Sequence, residues 1–224
     1  MSRAETIRGL YRAFADRLGP SGWWPGRTPL EIAVGAILTQ NTNWRNVERA
    51  IANLDAAGAL SVRALRELPD QRLEDLIRPA GSFRVKAARL RHFLDFLARE
   101  GAESVEDLRG RSLYGLREDL LAVRGIGPET ADAILCYALE MPVFVIDAYT
   151  ARMFARHGLV LPEEADYAEM QDLVQTALPA ENRDYNEFHA LIVRAAKEWC
   201  AKSKPRCAEC PARCLLPDPE RLPS

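Results

Sequence analysis

Apolar residues recur at three- and four-residue intervals along almost the whole chain, and no stretch sustains the alternation of a strand. Glycine and proline pairs punctuate that pattern, so the sequence predicts an all-α protein. A first helix is expected over about residues 3–18, followed by a loop from Gly19 to Gly26. Thr28 can cap a helix that Pro29 begins, with Ile32, Ala33, Ala36 and Ile37 on its apolar face. The next helix starts near Trp44 and places Val47, Ala50, Ile51 and Leu54 on one side. Further helices are expected near 61–67, 70–78, 83–99, 104–107, 112–122 and 128–140. Asp147 opens another at 147–157, and the last two span about 166–177 and 183–199. Only the C-terminus changes texture, where proline, cysteine and charge replace periodicity.

A chain of 224 residues can form one large domain or two lobes. Its 48% apolar and 28% charged content is that of a soluble globular protein. The opening residues read as an amphipathic helix rather than a signal peptide, and no run is long enough to cross a bilayer; a cytoplasmic protein is expected. The net charge of −2 neither announces nor excludes nucleic-acid binding, because phosphate contacts need only a local basic face. Arginine carries nearly all the positive charge, the lysines being Lys86, Lys197, Lys202 and Lys204.

Cys200, Cys207, Cys210 and Cys214 crowd together near the end of the chain. In a reducing compartment such a cluster reads as a metal site, and soft thiolates suit iron–sulfur or zinc. Cys136 stands apart in an apolar run and reads as a buried thiol. Val123-Arg124-Gly125-Ile126-Gly127 lies between two helical patterns, and Pro128 fits a helix start. Two glycines around one aliphatic residue permit a tight hairpin and close backbone approach. The N–H groups there can hold a DNA phosphate, with Arg124, Gly125, Ile126, Gly127 and Thr130 as contact residues; the alternative is a corner that needs glycine for packing alone.

The segment from Leu120 to Tyr149 resembles the endonuclease III superfamily of DNA glycosylases, whose hallmark is a helix-hairpin-helix followed by a Gly/Pro-rich loop and a catalytic aspartate. Leu38-Thr39-Gln40-Asn41-Thr42, the stretch from Arg78 to Ala87 and the cysteine tail extend the resemblance over almost the whole chain. With Trp23-Trp24-Pro25 and the run from Ala131 to Tyr137, the chain looks most like the 3-methyladenine glycosylase III branch. The resemblance implies a six-helix barrel lobe at about 29–136 and a second lobe of 1–28 with 137–224, DNA lying in a cleft between them. It makes Asp147 the catalytic carboxylate, stabilising a cationic sugar and orienting water, although aspartate before a helix is also an ordinary cap. Family members that cut the DNA backbone carry a lysine where this chain has Glu129, so a monofunctional glycosylase is expected, with Lys86 the one lysine that could approach. The four cysteines resemble the family's [4Fe–4S] loop, zinc being the alternative, but the last spacing is three residues where the family usually has five.

An enzyme acting on a duplex must flip the base, stack it and fill the gap. Trp23, Trp24, Pro25 and Trp44 are candidate walls of a base pocket, attractive to a cationic alkylated purine; tandem tryptophans equally serve packing. Gln40 or Asn41 can fill the gap or cap the following helix. Lys202, Lys204 and Arg206, between the first two cysteines, form either a phosphate-contacting patch or a solvated turn. Three functions compete: a monofunctional alkylpurine glycosylase, a glycosylase for oxidised pyrimidines or mismatched uracil and thymine, and a damage binder without turnover. All three imply double-stranded DNA with a damaged base as partner and no membrane; a monomer is expected.

Overall fold

The computed structural model describes residues 1–22, 26–161 and 166–220. Among them every regular element is helical, as the periodicity requires. In chain order the helices are α1 (Arg3–Leu18), α2 (Pro29–Thr39), α3 (Trp44–Ala56), α4 (Val62–Glu67), α5 (Asp70–Ile77) and α6 (Phe83–Arg99). They continue as α7 (Leu113–Leu121), α8 (Pro128–Ala133), α9 (Ala148–Arg156), α10 (Tyr167–Ala177) and α11 (Asn182–Glu198). Their starts follow side-chain chemistry: Ser2, Thr28, Asn43, Ser61, Ser112, Asp147 and Asp166 each accept a hydrogen bond from a first-turn N–H. The chain divides into two compact units, residues 24–141 and residues 1–23 with 142–224.

The unit of residues 24–141 is built on α2, which packs against α3, α6 and α8. Leu30, Ile32, Ala33, Val34, Gly35, Ile37 and Leu38 are all buried, so α2 is apolar around most of its circumference. This corrects the expected single face: Val34 is core and Ala36 is partly open. The expected helix at 104–107 is only a 3-10 turn, Glu106–Leu108. The expected helix at 128–140 is α8 followed by a π-helical turn, Ile134–Ala138, whose five residues are all buried. A segment enclosed on every side has no solvent face to mark its period in the sequence. Between α7 and α8, Arg117 grips Asp132 through two hydrogen bonds of 2.7 and 3.1 Å, and Asp132 is fully buried.

The second unit packs α1 against α10 and α11, and α9 against α11. Its core includes Phe14, Phe144, Phe154, Tyr185 and Phe188. The extended run Val143–Ile146 is buried, and side chains of α10 satisfy its backbone. Phe144 N–H donates to Gln175 Oε1 (3.0 Å), Gln171 Nε2 donates to the Phe144 carbonyl (2.6 Å), and Ile146 N–H donates to the Tyr167 hydroxyl (3.3 Å). That clamp delivers the next residue, Asp147, to the start of α9 in a fixed place. Two 3-10 turns, Cys207–Glu209 and Arg213–Leu215, carry the cysteine tail. No helix among the described residues is long and apolar enough to cross a membrane.

Candidate active site and nucleic-acid interface

Asp147 caps α9 and keeps one carboxylate oxygen out of the cap. Oδ1 accepts from the Thr150 N–H at 2.8 Å and from the Thr150 hydroxyl at 2.9 Å. Oδ2 lies 3.5 Å from Nε2 of His189 on α11. Burial pushes the carboxyl pKa up, but the neighbouring His189 and the Thr150 hydrogen bonds outweigh it, and the net shift is downward. Asp147 is therefore an anion at neutral pH although its side chain is only 14% exposed. A desolvated anion with one constrained and one less constrained oxygen can stabilise positive charge at a partner placed against it. Sequence reasoning missed His189. It is one of three histidines in the chain, and no motif marks it among Phe188, Leu191 and Ile192.

The hairpin between α7 and α8 is shaped from inside its unit. Gly125 adopts φ +91°, and a Cβ there would lie 2.4 Å from Arg89 Cγ. Both the backbone and the Arg89 stem thus demand glycine. Gly127 differs: a Cβ there would meet nothing within 4 Å. The fold leaves that space open to an approaching group. Ile126 turns its side chain inward and is 5% exposed, whereas Arg124 is exposed and its carbonyl faces His92 Nδ1 at 3.0 Å.

Gln40 is drawn into this hairpin. Its Nε2 donates to the Gly125 carbonyl (3.1 Å) and to the Thr130 hydroxyl (2.8 Å), while Arg89 donates to its Oε1. Both ends of the amide are engaged, and Thr130 is buried with its hydroxyl committed to Gln40. Thr130, expected among the DNA contacts, thus has its hydroxyl accepting from Gln40 within the hairpin. Asn41 is exposed, in the left-handed region at φ +54°.

Trp44 packs its ring over Gly35 of α2, where a Cβ would come within 3.3 Å of it, and stays partly exposed. Trp23, Trp24 and Pro25 lie outside the described residues. Glu129 stands exposed in the first turn of α8. Lys86 is 2% exposed and donates to the Ala80 carbonyl at 2.6 Å, with its pKa pushed down by burial and then by Arg89.

The four tail cysteines are free thiols. Cys200, Cys207 and Cys210 line one cavity with Arg156 and Trp199, whereas Cys214 is exposed. Burial raises the Cys210 thiol to about 11, and the other three cysteines are near enough to add to that shift. Arg156 Nη1 lies 3.0 Å from Cys200 Sγ. Among the described residues no three His, Cys, Asp or Glu side chains are arranged to hold a single metal ion. On the loop outside, Lys202 and Lys204 are exposed and in no ion pair with a described residue. Arg206 is instead paired with Glu198 (2.9 Å) and Glu209 (3.2 Å).

Comparison with known proteins gives these residues a context. Residues 34–179 match the model of the HhH-GPD superfamily of base excision DNA repair proteins. A Methanocaldococcus jannaschii protein that carries the name of a DNA repair glycosylase is 42% identical over 95% of this chain and 96% of its own. Among solved structures, H. pylori 3-methyladenine DNA glycosylase bound to 1,N6-ethenoadenine is similar with a TM-score of 0.74 and 28% identity, covering 88% of this chain and 98% of that one. A trapped endonuclease III–DNA covalent intermediate has a TM-score of 0.82 at 19% identity, covering 98% of each chain, a likeness of fold.

Proposed function

The chain belongs to the HhH-GPD superfamily of base excision DNA repair proteins, and from that premise we propose that this DNA glycosylase is monofunctional and releases alkylated purines such as 3-methyladenine from duplex DNA. The observation that carries the reading is Asp147, an ionised and largely buried carboxylate with Oδ1 fixed by Thr150 and Oδ2 left for chemistry. As the N-glycosidic bond lengthens, positive charge grows on the sugar. The Asp147 carboxylate stabilises that charge and orients the water that attacks C1′. A cationic alkylated base leaves without strong acid assistance, which suits a site with one carboxylate and no second acid close by in sequence.

Two observations support monofunctionality. Glu129 occupies the position at which a Schiff-base lysine would be expected, and a carboxylate cannot form an imine. Lys86 is buried with its amine on the Ala80 carbonyl. The alkylpurine preference is supported by the likeness to the 3-methyladenine glycosylase and by the partly open Trp44. Gly125 and Gly127 present backbone to a phosphate, and Asn41 fills the space of the flipped base, because Gln40 already braces the hairpin. The cysteine set fits an iron–sulfur cluster, zinc being the alternative: Cys200, Cys207 and Cys210 line a common cavity, and soft thiolates suit either group. Cys200, Cys207, Cys210 and Cys214 would hold the cluster, which when bound braces the loop that displays Lys202 and Lys204.

The test is a base-release assay on duplexes carrying 3-methyladenine, uracil opposite guanine, or thymine glycol, with borohydride added in parallel. Release of 3-methyladenine without a trapped covalent adduct is expected. Faster release of either pyrimidine, or an adduct lost in Lys86→Ala, would overturn the respective half of the proposal.

A further inference from the structure

Oδ2 is the interesting half of the Asp147 carboxylate. Oδ1 receives two hydrogen bonds from Thr150 and is immobilised as a helix cap. Around Oδ2 the polar group contributed by the described residues is His189 Nε2, at 3.5 Å. His189 is 7% exposed and meets Phe144 edge-on, with ring centroids 6.1 Å apart and planes at 76°. Phe144 is in turn held through its N–H and its carbonyl by Gln175 and Gln171. The imidazole is therefore packed in place, and the extended run that delivers Asp147 is part of the wall that packs it.

A histidine so placed could be mere core filling. Two features speak for more. An imidazole costs more to bury than a leucine or phenylalanine of similar size, and its ring is turned so that a nitrogen, not a carbon, faces the reactive oxygen. The separation is long for a hydrogen bond, and such contacts at reactive groups often tighten only when substrate arrives.

We propose that His189 is a positioning residue for Asp147: it aims Oδ2 at the sugar and, by donating a hydrogen bond from Nε2, keeps the carboxylate from rotating as positive charge develops. The inference rests on the proposed role of Asp147 and deepens it. His189 itself touches neither base nor sugar; it acts through the carboxylate. Thr150 fixes one oxygen before DNA arrives, and His189 stands 3.5 Å from the other, placed to close on it as charge develops.

The test uses binding, so that it does not depend on which lesion is preferred. Two duplexes are compared, one with a neutral tetrahydrofuran abasic analogue and one with a pyrrolidine analogue whose protonated ring mimics the cationic sugar. The ratio of their Kd values reads how well the carboxylate stabilises charge there. His189→Phe keeps a ring without the donor; His189→Gln keeps a donor without the ring. His189→Phe is expected to lower the ratio about tenfold with the tetrahydrofuran Kd unchanged, and His189→Gln to restore most of it. Should His189→Phe not fold, His189→Met takes its place as a flexible filler.

A ratio that stays at the wild-type value in the donor-less variant, while Asp147→Asn abolishes the preference, would overturn the role of His189 alone. A donor-less filler such as His189→Met that keeps both thermal stability and the ratio, where His189→Phe loses both, would reduce the residue to packing. If Asp147→Asn itself leaves the ratio intact, the proposed role of Asp147 fails, and that of His189 with it.

Discussion

Asp132 on α8 and Asp147 before α9 are both aspartates removed from water, one in each unit of the chain. Asp132 gives both oxygens to the Arg117 guanidinium, at 2.7 and 3.1 Å, and is entirely enclosed. Asp147 gives one oxygen to Thr150 and leaves the other opposite a histidine at 3.5 Å. A carboxylate whose acceptor positions are taken by a fixed counter-ion has become part of the scaffold, locking α7 to α8 below the hairpin. A carboxylate held at one end and less constrained at the other still has free energy to give to a cation that arrives later. The same contrast between committed and open groups recurs at the hairpin glycines and at the basic loop.

The sharpest way to break the contrast is to neutralise each aspartate. Asp147→Asn is expected to slow base release by about a thousandfold in single-turnover assays, the scale of losing a preorganised electrostatic partner. Asparagine caps helices as well as aspartate does, so the melting temperature should fall only modestly at neutral pH, by the contribution of the ionised group. That deficit should shrink in acid. The folded pKa of Asp147 lies below its ordinary value, so the ionised group stabilises the fold above that ordinary value and loses its contribution as pH falls through the folded pKa. The variant should therefore flatten the acid limb of a stability–pH curve. Asp132→Ala should do the reverse: about 3 kcal/mol of stability lost in denaturant titration, with release per folded molecule preserved. If Asp132→Ala abolished release in folded protein, the separation of scaffold from chemistry would be wrong.

The glycines sharpen the comparison at smaller amplitude. Gly125→Ala meets both φ +91° and the Arg89 stem, and should cost about 1–3 kcal/mol of stability. Gly127→Ala meets no protein atom within 4 Å, and should leave stability within about 0.5 kcal/mol of the wild type. It should instead weaken binding to an abasic-analogue duplex by about tenfold, by filling space that a phosphate needs. Equal losses of stability for the two would show that Gly127 also serves packing.

Much of this was legible in the sequence because local chemistry and tertiary structure agree. Arg3–Leu18 begins and ends where its capping box and Gly19 place it, and Thr28-Pro29 starts α2 as read. The hairpin could be named from Gly125, Gly127 and Pro128 because a positive φ and a helix start leave a residue-level mark. What escaped leaves no such mark. The π turn at Ile134–Ala138 and the nearly all-round burial of α2 arise where segments are enclosed on every side, so that no polar stripe reports their geometry. The engagement of Gln40 with Arg89, Gly125 and Thr130 joins residues far apart in sequence, as does the pairing of His189 with Asp147. Histidine on an apolar helix face reads as core until the fold puts a carboxylate beside it.

The basic loop offers the smallest and most graded test. Lys202 and Lys204 are exposed and in no ion pair with a described residue, whereas Arg206 already bridges Glu198 and Glu209. An ammonium with no internal partner can displace counter-ions from a phosphate, while a guanidinium between two carboxylates must first give up that pairing. If this loop contacts DNA, Lys202→Gln with Lys204→Gln should reduce the slope of log K against log salt by about 2, at roughly 0.9 per phosphate contact. Arg206→Gln should change the slope by less than half of that, because its charge is already offset within the loop. Measured by fluorescence anisotropy across a salt series, an unchanged slope in the double variant would place the loop off the DNA. A larger effect from Arg206 than from the lysines would show that its ion pairs open on binding, and that committed groups in this loop can be released by the substrate itself.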